Sequence, residues 1–309
     1  MRVLICDKTA KEALDAIRNA GIEVDNRPEI TPEELVRDAA QYDGMVVRSR
    51  TKITKEVIDA ANNLKIAVRG GVGLDNIDVK YAESKGVMVR NTPKASSDSV
   101  AELTVGYLFA LARKIPQSSA SMTSGEWKKK VLEGTEIAGK TLGLIGLGNI
   151  GQAVAKRAAA LGMNVIFYRR TPTDVPFAKQ VTLNDVLTQS DYISLHVPKT
   201  ADTANILGAE AFARMKPGVY IINCGRGGTL DEDALYDALV SGKVAGAALD
   251  VFVDEKVSPG NPKLFQLKDK NGFNLVIGSP HVGASTVEGQ DRVGGEVADI
   301  LIQFYKEHR

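Results

Sequence analysis

Two cysteines in 309 residues are too few for a disulfide framework or a cysteine-built zinc site. Charge of one sign is missing too: 39 Lys and Arg stand against 38 Asp and Glu, a net charge of +1. That balance lacks the basic footprint of a nucleic-acid binder and gives no electrostatic pull toward an anionic membrane. Long apolar runs are absent, since the most apolar helical stretch, 100–112, contains Glu102 and is too short to span a bilayer. At the N-terminus, Asp7 interrupts the apolar start before a signal-peptide core can form. The expectation is a soluble, reduced, cytoplasmic chain that binds neither nucleic acid nor membrane and holds no metal. What is present, 44% hydrophobic and 25% charged residues, suffices for two hydrophobic cores of ordinary size.

The chain reads as two series of β-branched runs alternating with amphipathic segments, the mark of a parallel sheet covered on both faces. In the first, 2–6, 23–24, 45–47, 65–68 and 87–89 read as strands, with helices at 10–19, 32–40, 55–61 and 79–84. Thr31-Pro32-Glu33-Glu34 is a helix start with cap, first-turn proline and acids, and Thr54 caps the next helix. After a long helix at 97–113 comes a polar stretch, 117–133, containing the single tryptophan, Trp127. The second series has strands at 141–146, 164–168, 192–196, 219–223, 245–250 and 275–278. Its helices fall at 150–161, 183–188, 209–215 and 231–241. The segment 254–270 reads as a loop, and a last helix covers 286–307.

Gly146-Leu147-Gly148-Asn149-Ile150-Gly151 follows an apolar strand and opens a helix. Such glycines let backbone N–H groups approach a pyrophosphate at a helix N-terminus, where the dipole favours anions. The bland alternative is an ordinary turn, which the strand–loop–helix–strand context disfavours. An acid normally ends the second strand and binds the ribose 2′-hydroxyl. Here the strand ends Phe167-Tyr168-Arg169-Arg170-Thr171, and two guanidinium groups suit a 2′-phosphate. NAD(P) is therefore expected, leaning to NADP, with NAD if Arg169 and Arg170 are only solvated.

Arg48-Ser49-Arg50-Thr51 and Arg69-Gly70-Gly71-Val72-Gly73 each follow a first-series strand. Ligands of open parallel sheets gather at such strand ends. The first cluster suits a phosphate, and the second can form a backbone nest for a carboxylate. Of three histidines, His308 is next to last and His196 ends a strand before Val197-Pro198, touching cofactor or completing packing. His281 sits in Ser279-Pro280-His281-Val282-Gly283-Ala284-Ser285, among small residues that leave room for a substrate. Its partners are sought in Arg226, within Asn223-Cys224-Gly225-Arg226-Gly227-Gly228, and Glu255, just past the next strand. Hydride transfer on a 2-hydroxy acid needs an arginine for the carboxylate, a histidine for the hydroxyl proton and a carboxylate to hold the imidazolium. Cys224 lacks a neighbouring base and reads as packing under the cofactor.

With these motifs in order, together with Ser99-Val100-Ala101-Glu102 and Leu249-Asp250-Val251-Phe252, the chain resembles the D-2-hydroxyacid dehydrogenase family along essentially its whole length. The Arg-Ser-Arg-Thr and His281 segments resemble its phosphoglycerate branch. The resemblance implies a flavodoxin-like substrate domain (1–98 plus 286–309) and a Rossmann cofactor domain (99–285). It implies Arg226, Glu255 and His281 as the catalytic three, with Arg226 and His281 also touching substrate. Cofactor would be met by Gly146, Gly148, Asn149, Ile150, Gly151, Tyr168, Arg169, Arg170 and Thr171. It would also be met by His196, Val197, Pro198, Thr203, Asn223, Cys224, Gly225, Asp250 (at the carboxamide) and His281. Arg48, Ser49 and Arg50 would hold a substrate phosphate, and Gly71, Val72 and Gly73 a carboxylate. The reaction implied is 3-phosphoglycerate to 3-phosphohydroxypyruvate, toward serine. The rivals are an NADPH-dependent hydroxypyruvate or glyoxylate reductase and a non-catalytic dinucleotide sensor. A homodimer through the cofactor domain and no regulatory domain after residue 309 are implied as well. Four features depart from the family: Arg169 for an aspartate, Ser96 for an asparagine, Lys256 for a proline, and a slightly long loop from Glu255 to His281.

Overall fold

The computed structural model describes residues 1–255 and 261–308, so Lys256 and the middle of its loop lie outside the described residues. The chain divides into two units, Met1–Ser97 with Ala284–Arg309, and Asp98–Gly283. Each is built on one wholly parallel sheet.

The first unit carries β1 (Arg2–Ile5), α1 (Lys11–Asn19), β2 (Glu23–Asn26), α2 (Pro32–Asp38), β3 (Gly44–Val47), α3 (Lys55–Ala60), β4 (Ile66–Arg69), α4 (Val79–Ser84) and β5 (Met88–Asn91). Its strand order, β2-β1-β3-β4-β5, is the flavodoxin-like arrangement. Central strands bury both faces, which is why β3 reads Gly-Met-Val-Val without polar alternation. Thr31 and Glu34 exchange side-chain and backbone bonds in a full capping box at the start of α2. The C-terminal helix, Val287–Glu307, packs here against α1 and β4. It adds Val293, Val297, Ala298, Leu301 and Phe304 to the core under Val3, Ile5 and Ile17.

The second unit begins with α5 (Ser97–Arg113) and α6 (Ile115–Thr123), and then runs β6 (Thr141–Ile145), α7 (Asn149–Ala160), β7 (Asn164–Tyr168), β8 (Lys179–Gln180), α8 (Leu183–Gln189) and β9 (Tyr192–Leu195). It continues through α9 (Ala209–Arg214), β10 (Val219–Asn223), α10 (Glu232–Val240), β11 (Val244–Leu249), α11 (Pro262–Gln266) and β12 (Val276–Gly278). The order β12-β11-β10-β9-β6-β7-β8 places β6 between β7 and β9, where the winding direction reverses. In open α/β sheets that switch point is where ligands bind.

The structure corrects one sequence expectation, the 254–270 loop, and adds two elements that the sequence does not announce. The polar stretch 117–133 lies partly in α6, which Lys114 in the left-handed region separates from α5 and which carries Pro116 in its first turn. The expected loop 254–270 contains α11, again opened by a proline, Pro262. β8 was not expected, because two residues leave no periodicity to read. None of the described helices is long and apolar enough to cross a membrane.

Candidate active site

Strand register brings the second unit's candidate residues side by side. Ile145 at the end of β6 pairs with Tyr168 of β7 and Leu195 of β9. The glycine loop therefore leaves the sheet flanked by Arg169 and His196. Gly146 has φ +100°, and a Cβ there would stand 2.5 Å from the His196 carbonyl oxygen, so only glycine fits. A Cβ at Gly151 would stand equally close to the Gly146 carbonyl, holding α7 against the loop. Gly148, which caps α7, has open space where its side chain would be. The result is an exposed backbone cradle at the N-terminus of a twelve-residue helix, which fits a dinucleotide pyrophosphate.

Around that cradle, an Arg169 guanidinium nitrogen lies 3.4 Å from the Leu147 carbonyl, inside the glycine loop. Arg170 pairs with Asp202 at 2.9 Å in an exposed contact. An open hollow of about 720 Å³ adjoins Tyr168, Arg169, Lys179 and Gln180, but His281 does not line it. Thr203 folds its hydroxyl back onto the Pro198 carbonyl, which closes the turn after Val197. His196 keeps part of its surface open, yet its ring is shut in. Nε2 lies 2.9 Å from the Ser194 hydroxyl, and Nδ1 is buried without a hydrogen-bond partner. Burial lowers its pKa to about 4, so the ring is neutral at physiological pH.

The acid–base group is built at the far side of the same sheet edge. Asn223 at the end of β10 is in register with Leu249 of β11, and Leu249 with Gly278 of β12. Arg226, Asp250 with Glu255, and His281 thus follow three neighbouring strand ends. Asn223 shapes the first loop, accepting from Gly225 N–H at 3.0 Å and donating to the Arg226 carbonyl at 3.2 Å. Arg226 donates to the Gly225 carbonyl at 2.8 Å. A Cβ on Gly227 would overlap the Phe252 carbonyl, so the Arg226 loop lies directly on the chain leading to Glu255. His281 Nδ1 meets Glu255 Oε2 at 2.9 Å, with both side chains a little over 40% exposed and so open to a substrate.

Asp250 is buried, and its carboxylate accepts from the Ser279 hydroxyl, from Val282 N–H at 2.9 Å and from Gly283 N–H at 2.8 Å. The family resemblance implies only a cofactor contact for it. Its hold on the histidine loop was hidden because the partners lie 29–33 residues away. Burial pushes the Cys224 thiol up to about 12, and Thr104 is hydrogen-bonded to it, so it stays protonated and is no nucleophile.

In the first unit, Arg48 and Arg50 are already engaged. Arg50 donates to the Ile30 carbonyl at 3.1 Å and the Cys6 carbonyl at 2.8 Å, and its Nε pairs with buried Asp7 at 3.2 Å. Arg48 reaches the Lys8 carbonyl and Gln290. Ser49 is exposed, and Ser96 is buried. Gly71 has φ +140°, with the Arg69 guanidinium where its Cβ would be. The Gly71 and Val72 carbonyls accept from Thr92 N–H and the Asn91 amide, which sets the turn through Gly73. Among the described residues no group of His, Cys, Asp and Glu is arranged to hold a metal ion.

Residues 105–283 match the model described as "D-isomer specific 2-hydroxyacid dehydrogenase, NAD binding domain". A hydroxypyruvate reductase of Thermotoga maritima is 48% identical over 306 residues, covering 98% of this chain and 97% of that protein. A D-3-phosphoglycerate dehydrogenase of Methanocaldococcus jannaschii is 47% identical over 97% of this chain, which spans only 56% of that longer protein. Among solved structures, an acyclic imino acid reductase in complex with NADPH and D-Arg superposes with a TM-score of 0.87 at 31% identity. That match covers 99% of this chain and 98% of the other.

Proposed function

Because the chain belongs to the D-isomer specific 2-hydroxyacid dehydrogenase family, we propose that it interconverts a small D-2-hydroxy acid and its 2-oxo acid, using NADP(H). The observation that carries this reading is the His281–Glu255 pair at 2.9 Å, set on the strand end next to the Arg226 loop. When bound, the nicotinamide supplies the two-electron donor or acceptor at the substrate's C2. Arg226 orients the substrate through its carboxylate and C2 oxygen, a pairing for which the guanidinium fork is suited. In reduction, His281 delivers a proton to that oxygen, and in oxidation it removes the hydroxyl proton. Glu255 fixes the imidazole orientation through Nδ1 and leaves Nε2 to face the substrate. The glycine cradle and the start of α7 would hold the pyrophosphate, with Pro198 and Thr203 alongside. The Arg169 guanidinium, where an acid would be needed for a ribose hydroxyl, supports the 2′-phosphate of NADP.

Of the two substrate classes, an unphosphorylated 2-oxo acid of the hydroxypyruvate type is the leading one. Arg50 commits four of its five N–H donors to the Cys6, Pro28 and Ile30 carbonyls and to Asp7, which leaves a single Nη1 N–H to offer a phosphate. The relative spanned end to end bears the name hydroxypyruvate reductase. 3-Phosphoglycerate oxidation is the second reading, supported by the relative at 47% identity and by the Arg48-Ser49-Arg50 cluster. A cytoplasmic homodimer joined through the second unit accompanies either reading.

The deciding experiment is a set of initial rates: hydroxypyruvate with NADPH and NADH, and 3-phosphoglycerate with NADP and NAD. Faster turnover of hydroxypyruvate with NADPH is expected. A clear preference for 3-phosphoglycerate would replace the substrate assignment, and silence with all four would sink the proposal.

A further inference from the structure

His281 has φ +53°, in the left-handed region that a non-glycine residue occupies only at a cost and only when its surroundings enforce it. Its own bonds do little of this, since its N–H reaches only back to the Ser279 carbonyl at 3.0 Å. The enforcement comes from both sides of it. Asp250 Oδ1 accepts from the Ser279 hydroxyl before His281 and from Val282 N–H after it, and Oδ2 accepts from Gly283 N–H. A carboxylate offers about four acceptor positions, so three are filled and one on Oδ2 remains. Asp250 is itself tied down by its N–H to the Asn223 carbonyl at 2.9 Å.

One further partner completes the set. Tyr107, buried on α5, lies with its hydroxyl 2.5 Å from Ser279 Oγ. The Ser279 hydroxyl has a single proton and gives it to Asp250, so Tyr107 must be the donor to Ser279. Burial pushes the Tyr107 phenol up to about 12, which keeps that proton on the oxygen throughout the working range. Val100, Thr104 and Tyr107 recur at helical spacing on one stripe of α5. Thr104 meets Cys224, and Gly283 lies against Val100, which a Cβ there would meet at van der Waals distance. The same stripe thus backs the Arg226 loop and the His281 loop together.

We propose that Tyr107 and Ser279 are positioning residues: the serial bonds Tyr107 to Ser279 to Asp250 hold the 279–283 loop in the form that keeps His281 against Glu255. This rests on His281 as the acid–base group. The test uses Tyr107→Phe, Ser279→Ala, Ser279→Thr and the Tyr107→Phe/Ser279→Ala pair, assayed with hydroxypyruvate at saturating NADPH. Losing one such bond should lower kcat about five-fold with KM held within about two-fold. Ser279→Thr should keep wild-type kcat, and Tyr107→Phe should add nothing in the Ser279→Ala background. Hydrogen exchange at the Val282 and Gly283 amides, a readout independent of turnover, should speed up in Tyr107→Phe while exchange elsewhere is unchanged. Additive losses in the pair, or unchanged kcat and exchange in Tyr107→Phe, would overturn the proposal. Turnover surviving in His281→Ala would instead overturn the reading of His281 itself.

Discussion

Acid should destabilise the second unit through His196, and the size of the effect follows from the imidazole's burial. Its pKa falls from 6.5 to about 4 because the protonated ring would lose its water, and no charged neighbour contributes. Between those two values the unfolded chain binds a proton that the folded chain refuses, so stability falls as pH falls. The contribution is fully present above 6.5. It declines by about 2 kcal/mol from pH 7 to pH 5, and by about 3 kcal/mol once pH is below 4. Many carboxylates titrate in the same range, so the measurement is a difference. Urea denaturation of the wild type and of His196→Asn, followed by circular dichroism from pH 7.5 to 4.5, cancels what the two proteins share. His196→Asn removes the titrating ring while keeping a hydrogen-bonding side chain for Ser194. The wild type should lose stability faster than the variant, and the gap should open between pH 6.5 and 5. Parallel curves would refute the burial argument and imply that the ring gains a proton without leaving its place.

Four other outcomes test the site. Glu255→Gln keeps a hydrogen-bonding group for His281 Nδ1 but removes the charge that supports an imidazolium, and should lower kcat by about 10- to 100-fold. Unchanged turnover would remove Glu255 from the mechanism. Gly227→Ala drives a methyl into the Phe252 carbonyl, backbone against backbone, and should cost about 2 kcal/mol in thermal unfolding as well as disturbing Arg226. Arg50→Ala removes the donor to the Pro28 and Ile30 carbonyls, while the Cys6 carbonyl keeps Thr51, and should lower stability by about 1–2 kcal/mol. Its ratio of kcat/KM for phosphorylated over unphosphorylated substrate, insensitive to stability, should stay unchanged; a selective loss for the phosphorylated one would restore the phosphate role. Arg169→Asp should reduce the NADPH to NADH preference at least about 10-fold, read from kcat/KM for each coenzyme.

Much of the fold is local enough to be read along the chain. Parallel strands buried on both faces carry unbroken apolar runs, as in β3 and β11, and helix starts announce themselves by caps such as Thr31. The glycine loop is legible for the same reason: Gly146 and Gly151 answer to steric demands within a few residues and the neighbouring strand. Legibility fails where the physics is not local. α6 and α11 are short and weakly patterned, and their form depends on a left-handed lysine or a leading proline. The residue types Arg226, Glu255 and His281 are visible in the sequence. Their meeting is a matter of register, because β10, β11 and β12 end level and bring positions 26 to 55 apart to one sheet edge. Only the folded arrangement reveals Arg50 committed to backbone carbonyls, and Asp250 gripping the loop around a left-handed His281. Hydrogen-bond satisfaction is settled atom by atom in three dimensions. A sequence names the donors and acceptors, and tertiary packing decides which of them are left for a ligand.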